Sequence, residues 1–266
     1  MTTPSPAPSA AAEPVPDPLA GMSDLFTVDS AELRAQISAR TPILFTPAGE
    51  PYLALPAPFE RFYLSPERVS DVPADIAMMS DIRVARTLVG PPFPVSPLAS
   101  KRWLVRERAF VTALFTAYAE GAFRPAACYP FTVLRERLPD GVEEYVGQVT
   151  VMYAGDGEKR RTPVNEAWEE WRMRTKVFEI GAALRPEWHR KGLATAAVRV
   201  AMHDWAIPQM GCTELRAECL ASNIGSVKIW QKYGFVEDPE LRTEVKIIEA
   251  KGGGVEQGCV LIWSLK

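Results

Sequence analysis

The sequence has few of the residues that bind metals or form disulfide frameworks. Only two histidines and four cysteines occur among its 266 residues. The cysteines show no Cys-x-x-Cys pairing and are scattered at Cys128, Cys212, Cys219 and Cys259. We therefore expect no metal site and no disulfides. Reduced thiols are the default in the cytoplasm, where we place the protein, and equally in the nucleus.

Long apolar runs and an excess of positive charge are also missing. No uninterrupted apolar run approaches the roughly 20 residues that a membrane helix requires. The formal net charge is -3 at pH 7, and no dense block of Lys and Arg stands out. These absences leave no electrostatic basis for binding nucleic acid or an anionic membrane. We expect a soluble protein that binds neither.

The first 22 residues contain no Lys or Arg and no apolar block, which argues against a secretory signal or a transit peptide. Their Pro/Ala-rich composition predicts an unstructured tail at 1–22. We assign 23–60 to an N-terminal extension and 61–266 to one domain of roughly 200 residues. A polar stretch of balanced charge at 155–176 interrupts this domain as an insertion.

Periodicity and turn residues predict strands and helices in mixed order. The predicted strands are 61–66, 131–137, 145–152, 176–184, 213–220, 244–250 and 258–264. The predicted helices are 31–38, 73–79, 81–88, 100–120 and a segment that follows Gly192 and ends near Ala206. Asp140-Gly141 signals a hairpin, and the Pro-rich segment 90–97 predicts an extended connection. This order predicts an α+β fold, with helices on the faces of a mixed sheet.

The segment RPEWHRKGLATAAV, residues 185–198, joins a predicted strand to a predicted helix through a glycine turn. Such a turn aims backbone N–H groups and the positive end of the helix dipole at one point, which suits a phosphate. Gly192 permits close approach, Ala194 leaves room, and Thr195 adds a hydroxyl donor. Positive charge for a pyrophosphate comes from His189, Arg190 and Lys191. The alternative is that Gly192 only makes a turn before a helix that packs on the sheet.

A second segment, ASNIGSVKIWQKYGF, begins about 30 residues after Gly192 at the end of the next predicted strand. The two segments together resemble the GCN5-related N-acetyltransferase (GNAT) superfamily, and most of all its branch of ribosomal-protein N-terminal acetyltransferases. In that family a Gln/Arg-x-x-Gly-x-Gly/Ala loop binds the pyrophosphate of acetyl-CoA. An Asn-x-x-Ser/Ala element contacts the CoA arm. FYLSPERVSDV and GPPFPVSPLASKRW also resemble this branch, so the similarity covers approximately 61–266.

The resemblance implies a mixed, mostly antiparallel central sheet with helices on both faces. It implies acetyl-CoA as the acyl donor, with no metal. The implied cofactor-binding residues are Ala182, Ala183, Leu184, His189, Arg190, Lys191, Gly192, Leu193, Ala194, Thr195, Asn223 and Ser226. Between Ala182 and Leu184 the family's strand bulges beside the thioester, and a backbone N–H there polarises the carbonyl group.

The pyrophosphate motif departs from the family pattern at two positions. His189 stands where the family prefers Gln or Arg, and Arg190 stands where a second glycine is common. If the backbone needs a positive φ at Arg190, this residue strains the loop.

Acetyl transfer to an amine also needs a base, because amines are largely protonated at neutral pH. Strand alternation places Glu218 on the same face as Glu214 and Arg216. Glu218 lies five residues before Asn223, which matches the catalytic glutamate of the alanine N-acetyltransferase branch. Glu179 in the preceding strand is the rival candidate, and either side chain could instead be a solvated or salt-bridged strand glutamate.

The proton for the leaving thiolate has no obvious donor. Many family members place a tyrosine seven residues after the asparagine, where this chain has Trp230. Tyr233 is nearby but suits a core position better than the role of an acid. Ser226 could serve through water, or the thiolate could leave without an acid.

The sequence thus predicts an enzyme, an acetyl-CoA-dependent N-acetyltransferase that acts by direct transfer in a ternary complex. The acceptor is a primary amine, either a peptide N-terminus or a small molecule, bound along 155–176 and the helices before the Pro-rich segment. The protein would be a monomer or a homodimer. The alternative is a non-catalytic CoA-binding or scaffold protein that retains the fold. The G-x-G-x-x-G and P-loop motifs of nucleotide-binding folds are absent.

Overall fold

The computed structural model describes residues 16–126, 128–154 and 176–266. Its strands form one nine-stranded sheet in the order β1-β2-β3-β4-β5-β6-β7-β9-β8. The strands are β1 (Leu44–Phe45), β2 (Pro51–Ala54), β3 (Phe62–Ser65), β4 (Val133–Arg137), β5 (Glu143–Tyr153), β6 (Val177–Leu184), β7 (Glu214–Leu220), β8 (Val236–Lys246) and β9 (Val255–Ser264). Among the strand pairs of the described chain, β6 with β7 is parallel and the others are antiparallel. The predicted mixed, mostly antiparallel sheet is confirmed.

The α-helices are α1 (Ala31–Arg40), α2 (Val72–Met79), α3 (Ile82–Ala85), α4 (Pro97–Ala119), α5 (Leu193–Arg199) and α6 (Ile224–Lys232). A π-helical segment, Val200–Ala206, continues α5. Short polar residues cap several of these helices, as the sequence indicates. The Ser96 hydroxyl accepts the Ala99 N–H at 3.2 Å, directly before Pro97 at the first turn of α4. No helix in the described part of the chain is long and apolar enough to cross a membrane.

Side-chain alternation along the strands separates two apolar clusters. Leu134 and Val146 belong to the main core, together with Leu193 of α5. Their strand neighbours Val133 and Tyr145 belong to a second cluster that contains residues of α2 and α3. Because adjacent residues of a strand point to opposite faces, helices cover both faces of the sheet.

Strands β6 and β7 separate after a short parallel contact. They pair only over Val177–Glu179 and Glu214–Arg216. Beyond this point β6 continues to pair with β5 as far as Leu184, and β7 continues to pair with β9 as far as Leu220. A gap therefore opens between the carboxyl halves of β6 and β7.

The core does not begin at residue 61, where the sequence places the start of the domain. Strands β1 and β2 join the same sheet, and Ile37, Ile43 and Leu53 are buried in the main core. These strands have two and four residues, which is too short for a period-2 pattern to stand out in sequence. The segment 23–60 is thus an integral part of the domain rather than an extension.

The predicted tail at 1–22 also needs correction at its end. Leu19 is 8% exposed and packs with Val72 and Leu104. Asp17 pairs with the Lys101 ammonium at 2.7 Å. One buried leucine in a Pro/Ala-rich stretch leaves no periodic signal, so composition alone could not identify this contact. Residues 1–15, and the predicted insertion except Lys176, lie outside the described residues.

The edge strand β8 lies earlier in the chain than predicted. It runs over Val236–Lys246, whereas residues 249–251 form a 3₁₀ turn that begins at Glu249. The β8–β9 pairing is shifted between Asp238 and Thr243. This irregularity and the exposure of most of the strand hide its alternation in the sequence.

Candidate active site

The loop between β6 and α5 has the backbone form of an anion-binding turn. The backbone bends at Arg190 and Gly192, which have φ values of 60° and 79°. Gly192 is the residue that caps α5, and no side chain occupies the cap. The first intrahelical bond runs from the Ala196 N–H to the Gly192 carbonyl at 3.1 Å.

The N–H groups that precede Ala196 in the first turn are those of Leu193, Ala194 and Thr195. They have no backbone acceptor within the described chain. A helix end of this kind favours a phosphate, because orphan N–H donors and the helix dipole point at the same place. The structure thus brings these three predicted residues together around one site.

Side-chain contacts of His189 and Lys191 hold the loop against neighbouring residues. The His189 Nε2–H donates to the Leu184 carbonyl at 2.8 Å, so this edge of the ring faces β6. The Lys191 ammonium lies 4.6 Å from the centre of the Trp188 ring, and that ring packs edge-on against Phe62.

Arg190 occupies the left-handed region that favours glycine, as its departure from the family motif implies. We expect Arg190→Gly to be more stable than Arg190→Ala by about 1 kcal/mol, because alanine keeps the steric cost of the left-handed conformation. Urea denaturation of both variants measures this difference. Equal stability of the two variants would show that the loop relaxes around alanine.

The asparagine element stands on the other side of the gap, at the end of β7. The Asn223 side-chain oxygen accepts the Ser226 N–H at 3.2 Å and caps α6. The Ser226 hydroxyl accepts the Trp230 indole N–H at 2.9 Å. Trp230 is buried at 3% exposure. The Tyr233 hydroxyl donates to the Thr195 carbonyl at 2.8 Å, which ties α6 to the first turn of α5.

A cleft of about 460 Å³ lies on the sheet face that carries α2 and α3. Its floor comes from Gly181, Ala182 and Ala183 of β6 and from Gln148 and Thr150 of β5. Its walls come from α2, α4 and the Pro-rich segment. The floor of the cleft is thus the stretch of β6 that also borders the gap.

The gap exposes backbone groups of β6. In a strand, backbone N–H groups point alternately to the two neighbouring strands. Half of the backbone N–H groups of β6 point away from β5. These groups face β7 only as far as Glu179, where the parallel pairing stops. The backbone between Ala182 and Leu184 therefore presents polar groups to the gap, where a carbonyl oxygen could be held.

Both candidate glutamates face the cleft side of the sheet. Leu215, Ala217 and Cys219 belong to the main core, so the alternate residue Glu218 points to the opposite face. Glu179 pairs with Met152 across β5 and β6, and Met152 lines the cleft. The side chain of Glu179 is half-buried and that of Glu218 is exposed.

Asp75 of α2 is a cleft residue that sequence reasoning did not select. Its carboxylate accepts the Ser100 hydroxyl at 2.7 Å and the Gln148 amide at 2.6 Å. The Tyr145 hydroxyl lies 3.4 Å away. Burial raises the pKa of Asp75, and the hydrogen bonds from Ser100 and Tyr145 oppose this shift. The sequence feature that could have indicated Asp75 is a single acid within the otherwise apolar helix VPADIAMM.

The sequence carries the signature of a known family over most of its length. A profile described as "Acetyltransferase (GNAT) domain" matches residues 61–236. The chain belongs to the GNAT acetyltransferase family. No curated protein sequence matches this GNAT chain significantly.

Solved structures agree with the GNAT fold. A ribosomal-protein-S5-alanine acetyltransferase from Vibrio fischeri is 15% identical, with 77% of this chain and 94% of that chain covered and a TM-score of 0.50. A GNAT-family acetyltransferase from Bacillus anthracis is 16% identical, with 80% and 98% covered and a TM-score of 0.49. The similarity to the Vibrio fischeri structure supports the fold.

A buried charge cluster lies behind the cleft of this GNAT domain. Arg135 is 2% exposed and binds both carboxylate oxygens of Asp71 at 2.8 and 2.5 Å. Glu67 is 3% exposed, and neither of its carboxylate oxygens has a hydrogen-bond partner among the residues that the structure describes. Burial raises the pKa of Glu67 well above its usual value, and the nearby Asp75 and Asp71 add to the shift.

Within the residues described, no group of His, Cys, Asp and Glu is arranged to hold a metal ion.

The raised pKa of Glu67 predicts a pH-dependent stability. A carboxyl with a raised folded pKa stabilises the fold fully below its unfolded pKa, and this contribution is lost as the pH rises through the folded value. Glu67→Gln should therefore increase the free energy of unfolding relative to the wild type at pH 8, and by less at pH 5. Urea denaturation at both pH values tests this. Glu144→Gln, at an exposed position of β5, is the control and should show no such pH dependence.

Proposed function

We propose that this protein transfers an acetyl group from acetyl-CoA to a primary amine by direct transfer in a ternary complex. The observation that carries the proposal is the gap between β6 and β7. The loop at Gly192 and the element at Asn223 lie at the carboxyl ends of these two strands. The cleft reaches Gly181 and Ala183 on the opposite face from the main core, whereas the Ala182 side chain packs against that core. Donor and acceptor can thus meet at one stretch of β6.

The residues of the loop fit the donor. The N–H groups of Leu193, Ala194 and Thr195 would hold the pyrophosphate, with Lys191 and Arg190 adding positive charge. The side-chain amide nitrogen of Asn223 is not used in the helix cap and can contact the CoA arm. His189 would position the loop through its bond to Leu184 rather than contact phosphate.

Glu179 is the base that the geometry favours. It stands where the gap begins, two residues before Gly181 and across from Met152, and both of these line the cleft. Glu179 would take a proton from the substrate ammonium, directly or through one water. The neutral amine then forms a bond to the thioester carbonyl carbon as the C–S bond breaks, and the electron pair leaves on the thiolate. The second proton that the new amide nitrogen loses passes through water to this thiolate.

The leaving thiolate would not depend on a strong acid. Trp230 occupies the position where many family members have a tyrosine, and the Tyr233 hydroxyl is bound to Thr195. The Ser226 hydroxyl accepts a hydrogen bond from Trp230, so its own proton can still be donated to the thiolate. A thiol with a pKa of about 8.5 can also leave as the anion and take its proton from water.

The acceptor would enter through the cleft. Residues of α2 and of the segment after α3 line it. The sequence-based proposal that the helices before the Pro-rich segment bind the acceptor stays a prediction. The other part of that proposal, the insertion at 155–176, lies outside the described residues except Lys176.

A second candidate function is CoA binding without turnover. Two observations favour it, the buried Trp230 in place of a hydroxyl acid and the left-handed Arg190 in the loop. Calorimetric titration with acetyl-CoA and with dephospho-CoA, followed by thiol-release assays with a panel of amines, separates the two functions. Binding with thiol release supports the transferase. Binding without release to any amine would support the second candidate, and no binding at millimolar acetyl-CoA would contradict both.

Gly192→Val tests the loop itself. Valine at a φ of 79° is strained, and its Cβ would lie 3.5 Å from Cζ of Phe59, so the turn that presents the N–H donors is disturbed. We expect the Kd for acetyl-CoA to rise at least about tenfold, as two or more hydrogen bonds to a charged group are disturbed. Gly141→Val is the matched control, because Gly141 has a φ of 85° in the distant β4–β5 turn. An equal loss of affinity in both variants would point to general destabilisation instead.

A further inference from the structure

We propose that the acceptor is a small monoamine whose amine is carried on a compact, uncharged apolar group, with Asp75 as the anchor for its ammonium. This inference rests on the proposed transferase function and names the class of substrate that the cleft takes. It follows from the chemistry of the cleft walls, from the hydrogen bonds of Asp75 and from the way the rim is held.

The walls of the cleft are apolar. The side chains that form them and would contact the body of the acceptor are Met79, Leu88, Pro91, Val95, Trp103 and Met152. Pockets that bind small molecules are mostly apolar, with a few polar groups that fix the orientation of the ligand. A second charge on the acceptor that lies against these walls, away from Asp75 and Glu179, would be buried without a partner, which is strongly unfavourable.

Asp75 is the ionisable side chain among the described residues that line the cleft. Three donors surround it, and a carboxylate has about four acceptor positions, so one more donor can be accommodated. Gln148, which donates to Asp75, is the direct partner of Ala183 across β5 and β6. Asp75 would therefore hold the incoming ammonium close to the stretch of β6 that borders the gap, and the same nitrogen would leave Asp75 as it gives up its proton to Glu179 and attacks the thioester.

The volume of the cleft sets the size of the acceptor. About 460 Å³ is near the lower end of the roughly 300–1,000 Å³ range of small-molecule pockets. A peptide could insert only its first residues, and its backbone amides would need partners. The side chains of the cleft offer few polar groups for this purpose, namely Gln148, Thr150 and Ser100.

Lys251 fixes the rim of the cleft from the β8–β9 connection. Its ammonium donates to the Leu88 carbonyl at 2.8 Å and to the Pro91 carbonyl at 2.9 Å. Lys251 is 8% exposed. Since Leu88 and Pro91 both line the cleft, this contact holds one wall in place and supports a defined size of acceptor.

The test compares three acceptors at saturating acetyl-CoA in a thiol-release assay. They are 2-phenylethylamine, 1,5-diaminopentane and an alanine-initiated tetrapeptide. We expect kcat/KM for 2-phenylethylamine to exceed that of each of the others at least tenfold. Equal or better rates with the diamine or the peptide would overturn the inference.

Three variants make the test specific for the cleft. Leu88→Asp supplies a second carboxylate, so it should lower kcat/KM for 2-phenylethylamine at least tenfold and raise that for the diamine. Ile82→Asp, at an exposed position of α3 outside the cleft, should change neither rate. Asp75→Asn should raise KM for 2-phenylethylamine about tenfold with little change in kcat. The inference would be overturned if Leu88→Asp left kcat/KM unchanged for both 2-phenylethylamine and the diamine, or if Asp75→Asn left KM unchanged.

Failure of this inference is distinguishable from failure of the proposed function. If acetyl-CoA does not bind in the calorimeter, both are overturned. If acetyl-CoA binds and transfer occurs only to polar or peptide amines, the transferase is supported and this inference alone is overturned. Calorimetry with acetyl-CoA on each variant verifies that the fold and the donor site are retained.

Discussion

Glu179→Gln should lower kcat by about 10²- to 10⁴-fold, the range expected when a general base is removed. Glutamine has nearly the same shape but cannot accept the proton from the ammonium. The loop at Gly192 is separate from this side chain, so the Kd for acetyl-CoA should change less than twofold. Steady-state kinetics with the preferred amine and calorimetry with acetyl-CoA measure the two effects.

Glu218→Gln is the matched control for Glu179→Gln. Glu218 shares the same sheet face, but it is exposed and lies on β7, across the gap from the β6 floor of the cleft. We expect its kcat to stay within tenfold of the wild type. Raising the pH toward 9 should restore little activity to Glu179→Gln, because binding to the Asp75 carboxylate stabilises the protonated form of the amine. A larger loss of kcat in Glu218→Gln than in Glu179→Gln would assign the base to Glu218, as its position five residues before Asn223 implies.

Arg135→Met should reduce the free energy of unfolding by about 3–5 kcal/mol, because it leaves a buried carboxylate without its partner. Arg135 binds Asp71 through two nitrogens and the Ser65 hydroxyl through a third, at 2.7 Å. Asp71 also accepts the Arg68 N–H at 2.7 Å. The pair thus connects β4 to the turn before α2, the helix that carries Asp75.

Two further variants test the cause of this loss. Arg137→Met makes the same substitution two residues along β4, where the side chain is 45% exposed and pairs with Glu143 at 3.2 Å. It should cost less than about 1 kcal/mol, as exposed ion pairs do. Adding Asp71→Asn to Arg135→Met should recover at least half of the loss, since it removes the buried charge. Urea denaturation of all variants decides the matter, and no recovery in the double variant would attribute the loss to packing.

The motifs were predictable because their signals are local. The turn at Gly192, the cap at Asn223 and the hairpin at Asp140-Gly141 each depend on residues within a few positions of one another. Their backbone conformations follow from glycine and from short polar side chains. The family resemblance rests on two of these segments, and the family profile confirms it.

The cleft could not be predicted in the same way. Asp75 meets Gln148 across 73 residues and Lys251 meets Leu88 across 163 residues. No spacing in the sequence relates such pairs. The role of residues 23–60 in the core was hidden for a related reason, because short strands gain their stability from neighbours that are distant in sequence.

The sequence by itself determined most of the order of elements, the glycine turn at Gly192 and the family, since these depend on local conformation and on contiguous motifs. Only the tertiary structure decided which carboxylates face the cleft. Strand alternation places both Glu179 and Glu218 on one face, and the separation of β6 from β7 leaves Glu179 beside the cleft. The apolar walls around Asp75 likewise arise from packing of α2, α4 and the Pro-rich segment on the sheet, and burial of that carboxyl exists only in the folded chain.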